Sequence, residues 1–192
     1  MSHTPERRRS LRAAGSVLAI SLLSPAAFGA DNPGAHQHGH SQLQVAVEGD
    51  RLDLIFTSPA QNLAGFERDA RTPEEEARLE TIRKWLETNP LIDTASASCS
   101  VIDAVARQSG SDGDQQHQEH HHDHDDHKDE GHREYEVSQQ LNCQDLTAED
   151  RFNAAVMAQF PGIEVLSVQW VSEEGQGSVR LEGSQTGFSL QR

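Results

Sequence analysis

Alternating apolar and polar residues near the start of the chain predict a β-hairpin. The apolar side chains of each predicted strand fall on one face, because successive side chains of a strand point to opposite sides. These side chains are Leu43, Val45 and Val47, followed by Leu52, Leu54 and Phe56. The sequence Glu48-Gly49-Asp50-Arg51 between them is typical of a turn, and Ser58-Pro59 ends the second strand, since proline cannot donate to a ladder.

Helical spacing follows in residues 72–88. Thr72 as N-cap, Pro73 at the first helical position and Glu75 reaching back as in a capping box predict its start. The helix ends before Asn89-Pro90. The apolar positions that would face a core are Leu79, Ile82 and Leu86.

The rest of the chain predicts further strands and a second helix. Alternation around Cys99 and Val101, and again from Tyr135 to Leu141, indicates two strands that can meet. The other expected elements are a helical turn in 60–67, a helix opened by 147–150 and continued by Phe152, Val156 and Phe160, strands at 165–171 and 178–181 joined by a glycine-rich turn at 173–177, and a short strand near Phe188.

This order of elements favours a single α+β domain over residues 31–192, with a mostly antiparallel sheet and two main helices. Residues 108–132 break the pattern, because they hold seven histidines and eight carboxylates and no large aliphatic side chain. Such a segment cannot form a core, so we expect a disordered, solvated insertion at the tip of two strands.

Residues 1–30 have the features of a cleavable signal peptide: arginines at 7–9, an apolar stretch at 13–23 and small residues at 26–30. An uncleaved membrane anchor is the alternative, although the apolar stretch is shorter than the roughly 20 residues of a spanning helix. Arg8-Arg9 leaves the twin-arginine route open beside the ordinary secretory route. We expect a periplasmic protein that is not inserted in the membrane after cleavage.

The formal net charge is −15 for the whole chain. Removing residues 1–30 takes away four arginines and one glutamate, which leaves 12 basic and 30 acidic residues. This balance argues against nucleic acid and anionic lipid as partners, because both need a basic surface. It is compatible with attracting cations, and equally with simple solubility.

Cys99 and Cys143 are the two cysteines of the chain. In an oxidising compartment an isolated pair indicates a disulfide, and the separation excludes a CxxC motif. Free or metal-bound cysteines are the alternative.

The histidine-rich part of the insertion is the strongest chemical signal. Neutral imidazole offers a nitrogen lone pair that suits zinc, nickel and copper, and the interleaved carboxylates can complete or orient a coordination shell. The candidate ligands are His117, His120, His121, His122, His124, His127 and His132. A merely soluble linker and a pH-sensing cluster are the alternatives.

A second histidine cluster, His36, His38 and His40, precedes the first strand and adds three candidate ligands. Ordering about ten insertion residues costs roughly 1 to 2 kcal/mol each, which rivals the roughly 10 to 16 kcal/mol of a structural zinc site. We therefore expect several loosely held, rapidly exchanging ions, as in a store or delivery arm. The sequence contains none of the HExxH, GxSxG, P-loop or GxGxxG motifs, so we do not expect an enzyme.

Five other residues, Phe66 among them, could be read as functional. Trp85 and Trp170 are more typical of a core than of a ligand cage. Asn62, Phe66 and Glu67 lie in a dense run of turn-forming and apolar residues, 58–67, for which a structural role is the favoured interpretation.

Several runs together resemble the ZrgA-like family of zinc-regulated periplasmic proteins. They are His36 to Val47, Leu52-Asp53-Leu54, Ser58 to Glu67, the central His/Asp insertion, and Val168-Gln169-Trp170 with Gly175-Gln176. The resemblance implies induction under zinc scarcity and assistance to zinc uptake, alongside a periplasmic binding protein or ABC-type importer. Members of that family often carry a histidine after Gly-Phe-Glu, where this chain has Arg68.

Two functions therefore stay open. One is a zinc-binding accessory of metal uptake, with nickel or copper also possible as ligand-compatible ions. The other is an envelope interaction module of a metal importer, in which the histidine-rich loop is incidental or only a nickel or copper buffer.

Overall fold

The computed structural model describes residues 37–94, 99–109, 133–146 and 151–190. Residues 1–36, which include the predicted signal peptide, lie outside the described residues. In chain order the elements are β1 (His40–Glu48), β2 (Arg51–Pro59), α1 (Ala60–Ala64), α2 (Pro73–Thr88), β3 (Asp93–Thr94), β4 (Cys99–Gln108), β5 (Glu134–Cys143), β6 (Arg151–Asn153), α3 (Ala155–Gln159), β7 (Val165–Ser172), β8 (Gly175–Glu182) and β9 (Gly187–Ser189).

The strands form two sheets. Six strands lie in the order β4-β5-β2-β1-β7-β8, and three short strands lie in the order β3-β6-β9. Neighbours are antiparallel except β1 and β7, which run parallel with His40 opposite Val165. The predicted α+β class with a mostly antiparallel sheet is confirmed.

One face of the six-stranded sheet carries the core. The alternation seen in the sequence places Leu43, Leu54 and Phe56 in the interior, where each is almost completely buried. Helix α2 packs Ile82 and Leu86 into the same core, with Leu79 half-buried beside them. The opposite face of the sheet is exposed, as the two-residue period predicts.

The start of α2 follows the predicted capping pattern. The Glu75 N–H donates to Thr72 Oγ1 at 3.2 Å, and Pro73 occupies the first helical position. The Glu75 carboxylate in turn accepts from the Arg71 N–H at 2.7 Å. The helix ends at Thr88, one residue before Asn89, which is where the sequence places its end.

The prediction of a second main helix is wrong for the first part of that segment. Residues 151–153 form strand β6, between β3 and β9, and α3 has only five residues. Phe152 and Phe188 stack with their ring centroids 5.7 Å apart, so pairing with a distant strand outweighs the local helical spacing. The predicted opening of this helix, residues 147–150, lies outside the described residues.

The turn between β7 and β8 is shorter than the glycine-rich segment 173–177 predicts. Strand β8 already begins at Gly175, so the turn consists of Glu173 and Glu174. Gly177 lies under the Trp170 ring, where a Cβ would come within 2.3 Å of it. This glycine therefore makes room for an aromatic side chain within a strand.

The two ends of the six-stranded sheet have different contents. We call one the histidine end; it comprises 37–40, 58–59, 108–109 and 133–134. We call the other the disulfide end; it comprises 48–51, 172–175, Cys99 and Cys143. The nine residue steps from Cys99 to Gln108 along β4 separate the ends, which corresponds to about 30 Å.

Candidate metal-binding site

The candidate ligands fall into two groups. His38 and His40 belong to the described part of the chain and lie at the histidine end. The others lie outside the described residues: His36, His117, His120, His121, His122, His124, His127 and His132. The geometry of the site is therefore built from the first group and its neighbours.

The turn that carries His38 is held firmly to the domain. Gly39 adopts φ +81°, a conformation that favours glycine, and its carbonyl oxygen accepts from the Glu164 N–H (2.8 Å) and the Val165 N–H (2.9 Å). The His40 N–H donates to the Gln37 carbonyl at 3.0 Å, which closes the turn. A Cβ at Gly39 would also lie 3.0 Å from a carboxylate oxygen of Glu164.

Asn62 also binds this turn. Its side chain is 5% exposed; Oδ1 accepts from the Gly39 N–H at 2.7 Å, and Nδ2 donates to the His40 carbonyl at 2.9 Å. Nδ2 also lies 3.3 Å from the hydroxyls of Ser41 and Ser58, which bond each other at 2.8 Å. One buried carboxamide thus fastens the backbone next to His38 to helix α1.

His38 meets a carboxylate from the segment after α1. Its Nε2 lies 3.1 Å from Glu67 Oε1, and the two side chains are 60% and 12% exposed. Nε2 can donate to the carboxylate when protonated, or present a lone pair beside the carboxylate when it is not. A nitrogen and an oxygen ligand of zinc are therefore adjacent.

The segment that carries Glu67 is itself braced. Arg68 stacks over the Phe66 ring at 5.0 Å and binds Glu75 through two hydrogen bonds of 2.9 and 2.6 Å. The Arg68 guanidinium, followed by the Arg71 N–H, lowers the pKa of Glu75 to about 2. Arg68, which stands where the resemblance implies a histidine, therefore braces this segment and supplies no ligand.

Both ends of the predicted insertion join the domain at the histidine end. The Ser109 N–H donates to the Glu134 carbonyl at 2.9 Å, and Gln108 pairs with Tyr135, so strand pairing continues to the point where the described chain stops. The Ala60 N–H donates to the Arg133 carbonyl at 2.8 Å, directly before α1. The sequence predicts an insertion over 108–132; Gln108 is instead the last residue of β4.

No larger ligand group is present in the described ranges. Within residues 37–94, 99–109, 133–146 and 151–190, no three His, Cys, Asp or Glu side chains are arranged to hold a metal ion. His38 and Glu67 can supply two ligands, so further ones would have to come from water or from elsewhere.

The predicted disulfide between Cys99 and Cys143 is formed, at the end of the sheet far from the histidines. The two cysteines face each other in the β4–β5 register. Trp170 is buried in the core, and Trp85 packs against it with its ring edge-on to Phe160 at 5.1 Å. The core interpretation of both tryptophans therefore agrees with the packing.

Sequence reasoning missed the role of Glu67. The sequence favours a structural role for both Asn62 and Glu67, which is correct for Asn62 as a hydrogen-bonding hub but omits the contact of Glu67 with His38. The signal that could have found the contact is the dense run 58–67, which requires a defined backbone close to the first strand.

Fold and site together define an α+β domain with a histidine–carboxylate pair at one end of its main sheet. The chain belongs to the ZrgA family of zinc uptake proteins, because the family model matches residues 35–190. That match confirms the resemblance found in the sequence and associates the chain with zinc uptake. No curated protein sequence matches the chain. Among the described helices, none is long and apolar enough to cross a bilayer.

Proposed function

We propose that this protein is a periplasmic zinc collector that is exported by a cleavable signal peptide and passes zinc to an ABC-type importer. The histidines of 117–132 and of 36–40 act as exchangeable ligands, and carboxylates assist them. The role is binding and delivery rather than catalysis, because a catalytic zinc needs three fixed ligands and a shaped cavity, whereas clustered histidines on a polar segment suit exchange.

One observation carries the proposal: both histidine-bearing segments join the domain at the same end of the sheet. The anchored turn at 37–40 and the insertion boundaries at 109 and 133 all lie there, next to Glu67. The two segments therefore leave the domain from neighbouring positions, which would favour exchange of ions between them. Membership of a zinc uptake family supports zinc as the ion.

The energetics favour delivery over storage in a rigid site. Ordering ten residues costs roughly 10 to 20 kcal/mol, which is as large as the roughly 10 to 16 kcal/mol of a well-formed zinc site. Ions bound by the insertion are therefore expected to exchange readily. Nickel and copper also accept imidazole, so availability in the periplasm would decide which ion is carried.

The test is zinc titration by calorimetry of residues 31–192, with and without residues 112–132. The hydrogen bond between Ser109 and Glu134 places the cut ends next to each other, so a short Gly-Ser turn can close the gap. We expect several zinc ions per chain at neutral pH and the loss of most of this capacity on deletion. Unchanged stoichiometry would refute the insertion as the main binding segment.

A matched control keeps the length and charge of the insertion. In this variant all seven insertion histidines are replaced by asparagine, and the carboxylates stay. We expect it to behave like the deletion, because imidazole supplies the ligands. If it still binds the full number of ions, the carboxylates rather than the histidines are responsible.

Export can be tested separately. Mass spectrometry of protein recovered from the periplasmic fraction should give a chain that begins near Ala30 or Asp31. An intact chain found only in the membrane fraction would contradict this part of the proposal.

One observation favours a second function, that of an interaction module of the importer. On the open face of the six-stranded sheet, Ile55 and Val171 are 49% and 51% exposed on β2 and β7. If this face alone does the work, the protein without 112–132 should restore growth in chelator as well as the intact protein does. The zinc collector predicts poor rescue by the deletion.

A further inference from the structure

We propose that His38 Nε2 and Glu67 Oε1 form one fixed zinc-binding position on the folded domain, and that Asn62 is its positioning residue. The inference rests on the proposed function in one respect, that zinc is the ion handled. Among the ligands proposed above it singles out His38 and places it in a site on the folded domain, separate from the histidines of the insertion.

The spacing of the pair fits a shared zinc ion. With bonds of about 2.0 to 2.2 Å to nitrogen and oxygen, two ligands of a tetrahedral zinc ion lie about 3.3 to 3.5 Å apart. The observed distance between Nε2 and Oε1 is 3.1 Å, so movements of a few tenths of an ångström would admit the ion. On binding, zinc replaces any proton on Nε2, and that proton goes to solvent.

The pair differs in exposure, which suits an ion that must enter and leave. Glu67 is largely buried at 12% exposure, whereas His38 is 60% exposed, so one ligand is held by the protein and the other faces water. With two protein ligands, the other positions of a tetrahedral ion stay open to water or to a ligand from an acceptor protein. Such a position can hand over its ion without unfolding any part of the domain.

Little ordering is needed when the ion binds. The backbone next to His38 already has four hydrogen bonds, two to Asn62 and one each to Glu164 and Val165. The Glu67 segment is braced by Arg68 on Phe66 and Glu75. Because preorganised ligands avoid the ordering cost, the first zinc ion should bind here before the insertion fills.

Asn62 connects the two ligands. Its carboxamide bonds the two residues that follow His38 in sequence, Gly39 and His40, and its own helix leads through Gly65 to Glu67. Shortening this side chain removes the partners of the Gly39 N–H and the His40 carbonyl. His38 would then sample positions away from Glu67.

The chain offers a matched control in Gln139. Like Asn62, this buried carboxamide bonds backbone groups: it accepts from the Leu91 N–H (2.9 Å) and donates to the carbonyls of Leu86 (3.0 Å) and Asn89 (2.7 Å). It secures the end of α2, away from the histidine turn. Asn62→Ala and Gln139→Ala should both lower the stability of the domain. Only Asn62→Ala should also weaken zinc binding at His38.

The experiment is a zinc titration of residues 31–192 at neutral pH, followed by NMR of the histidine ring nitrogens. His38 is assigned with a His38→Gln variant. We expect His38 Nε2 to respond within the first equivalent, ahead of the other histidines. Glu67→Gln keeps the shape of the side chain but removes the anionic ligand. It should lower the zinc affinity reported by His38 at least about 10-fold, because losing even an outer-shell partner of a metal costs that much.

For the positioning residue, Asn62→Ala should weaken the His38 response by a similar factor, and Gln139→Ala should leave it unchanged. If Asn62→Ala does not fold, Asn62→Asp keeps the acceptor for the Gly39 N–H and loses the donor to His40. A folded Asn62→Asp protein whose His38 responds as in the unaltered chain would overturn the role of Asn62.

The outcomes separate this inference from the proposed function. If His38 responds only together with the other histidines, or if Glu67→Gln has no effect, the fixed position is wrong while zinc collection stands. If no histidine responds to zinc, the proposed function fails as well.

Discussion

The disulfide end and the histidine end of the main sheet are held together by different kinds of contact. At the disulfide end, the strands are joined by two short turns, at 48–51 and 172–175, and by the covalent bond between Cys99 and Cys143, which face each other in the strand register. At the histidine end, the main contacts are noncovalent side-chain hydrogen bonds that lie outside the strand register. The bond between Asn62 and Gly39 spans 23 residues, and that between His38 and Glu67 spans 29.

This difference separates stability from binding. A covalent link and short turns limit the unfolded chain and close the sheet, but they offer no ligands. Long-range side-chain contacts add less stability, yet they alone can bring a histidine and a carboxylate from different segments to one point. The comparison predicts that changes at the two ends affect different properties.

The largest effect is expected from removing the disulfide with Cys99→Ala and Cys143→Ala. The bond closes a loop with a sequence separation of 44, for which chain entropy predicts a loss of about 4 kcal/mol in unfolding free energy. Denaturant unfolding with and without the bond measures this loss. Zinc binding by the fraction that stays folded should not change, because the histidine end is about 30 Å away. A large fall in zinc affinity of folded protein would show that the two ends are coupled.

The same contrast accounts for which features were predictable. Strands β1, β2 and β5 follow from alternation, α2 follows from its cap, and the disulfide follows from there being two cysteines in the chain. Each of these signals is local or has one solution. The pattern of Phe152, Val156 and Phe160 failed because its helical spacing competes with pairing to a strand more than 30 residues later.

The site was only half predictable for the same reason. Histidine chemistry predicts His38 as a candidate ligand, because imidazoles clustered in a polar segment are typical of metal binding. The dense run 58–67 indicates a defined backbone around Glu67 but does not identify its partner, because the contact with His38 also depends on the turn at 37–40 that Asn62 holds. Contacts of this kind depend on the completed tertiary fold.

A smaller effect should come from glycine substitutions at the two ends. In Gly162→Ala the new Cβ would lie 2.3 Å from the Asn62 carbonyl oxygen, so Asn62 must shift; in Gly49→Ala the Cβ meets nothing, but φ is +57°. We expect each to lower the free energy of unfolding by about 1 to 3 kcal/mol. Only Gly162→Ala should also lower the affinity for the first zinc ion, as measured by calorimetry. Equal effects of the two substitutions on zinc would remove the distinction between the ends.

The smallest effect concerns Tyr135, which pairs with Ser58 and Gln108 at the histidine end and is the one tyrosine of the chain. Burial raises its pKa from 10 to about 12. Because the folded-state pKa is raised, the stability that Tyr135 contributes is complete below about pH 10 and is lost as pH rises towards 12. Absorbance of the phenolate at 295 nm should therefore stay low at pH 10 to 11, with helical circular dichroism unchanged.

Tyr135→Phe should abolish the absorbance change and flatten the alkaline loss of stability. Ionisation near pH 10 in folded protein would mean that this end of the sheet opens to water, which would contradict the firm anchoring inferred for His38.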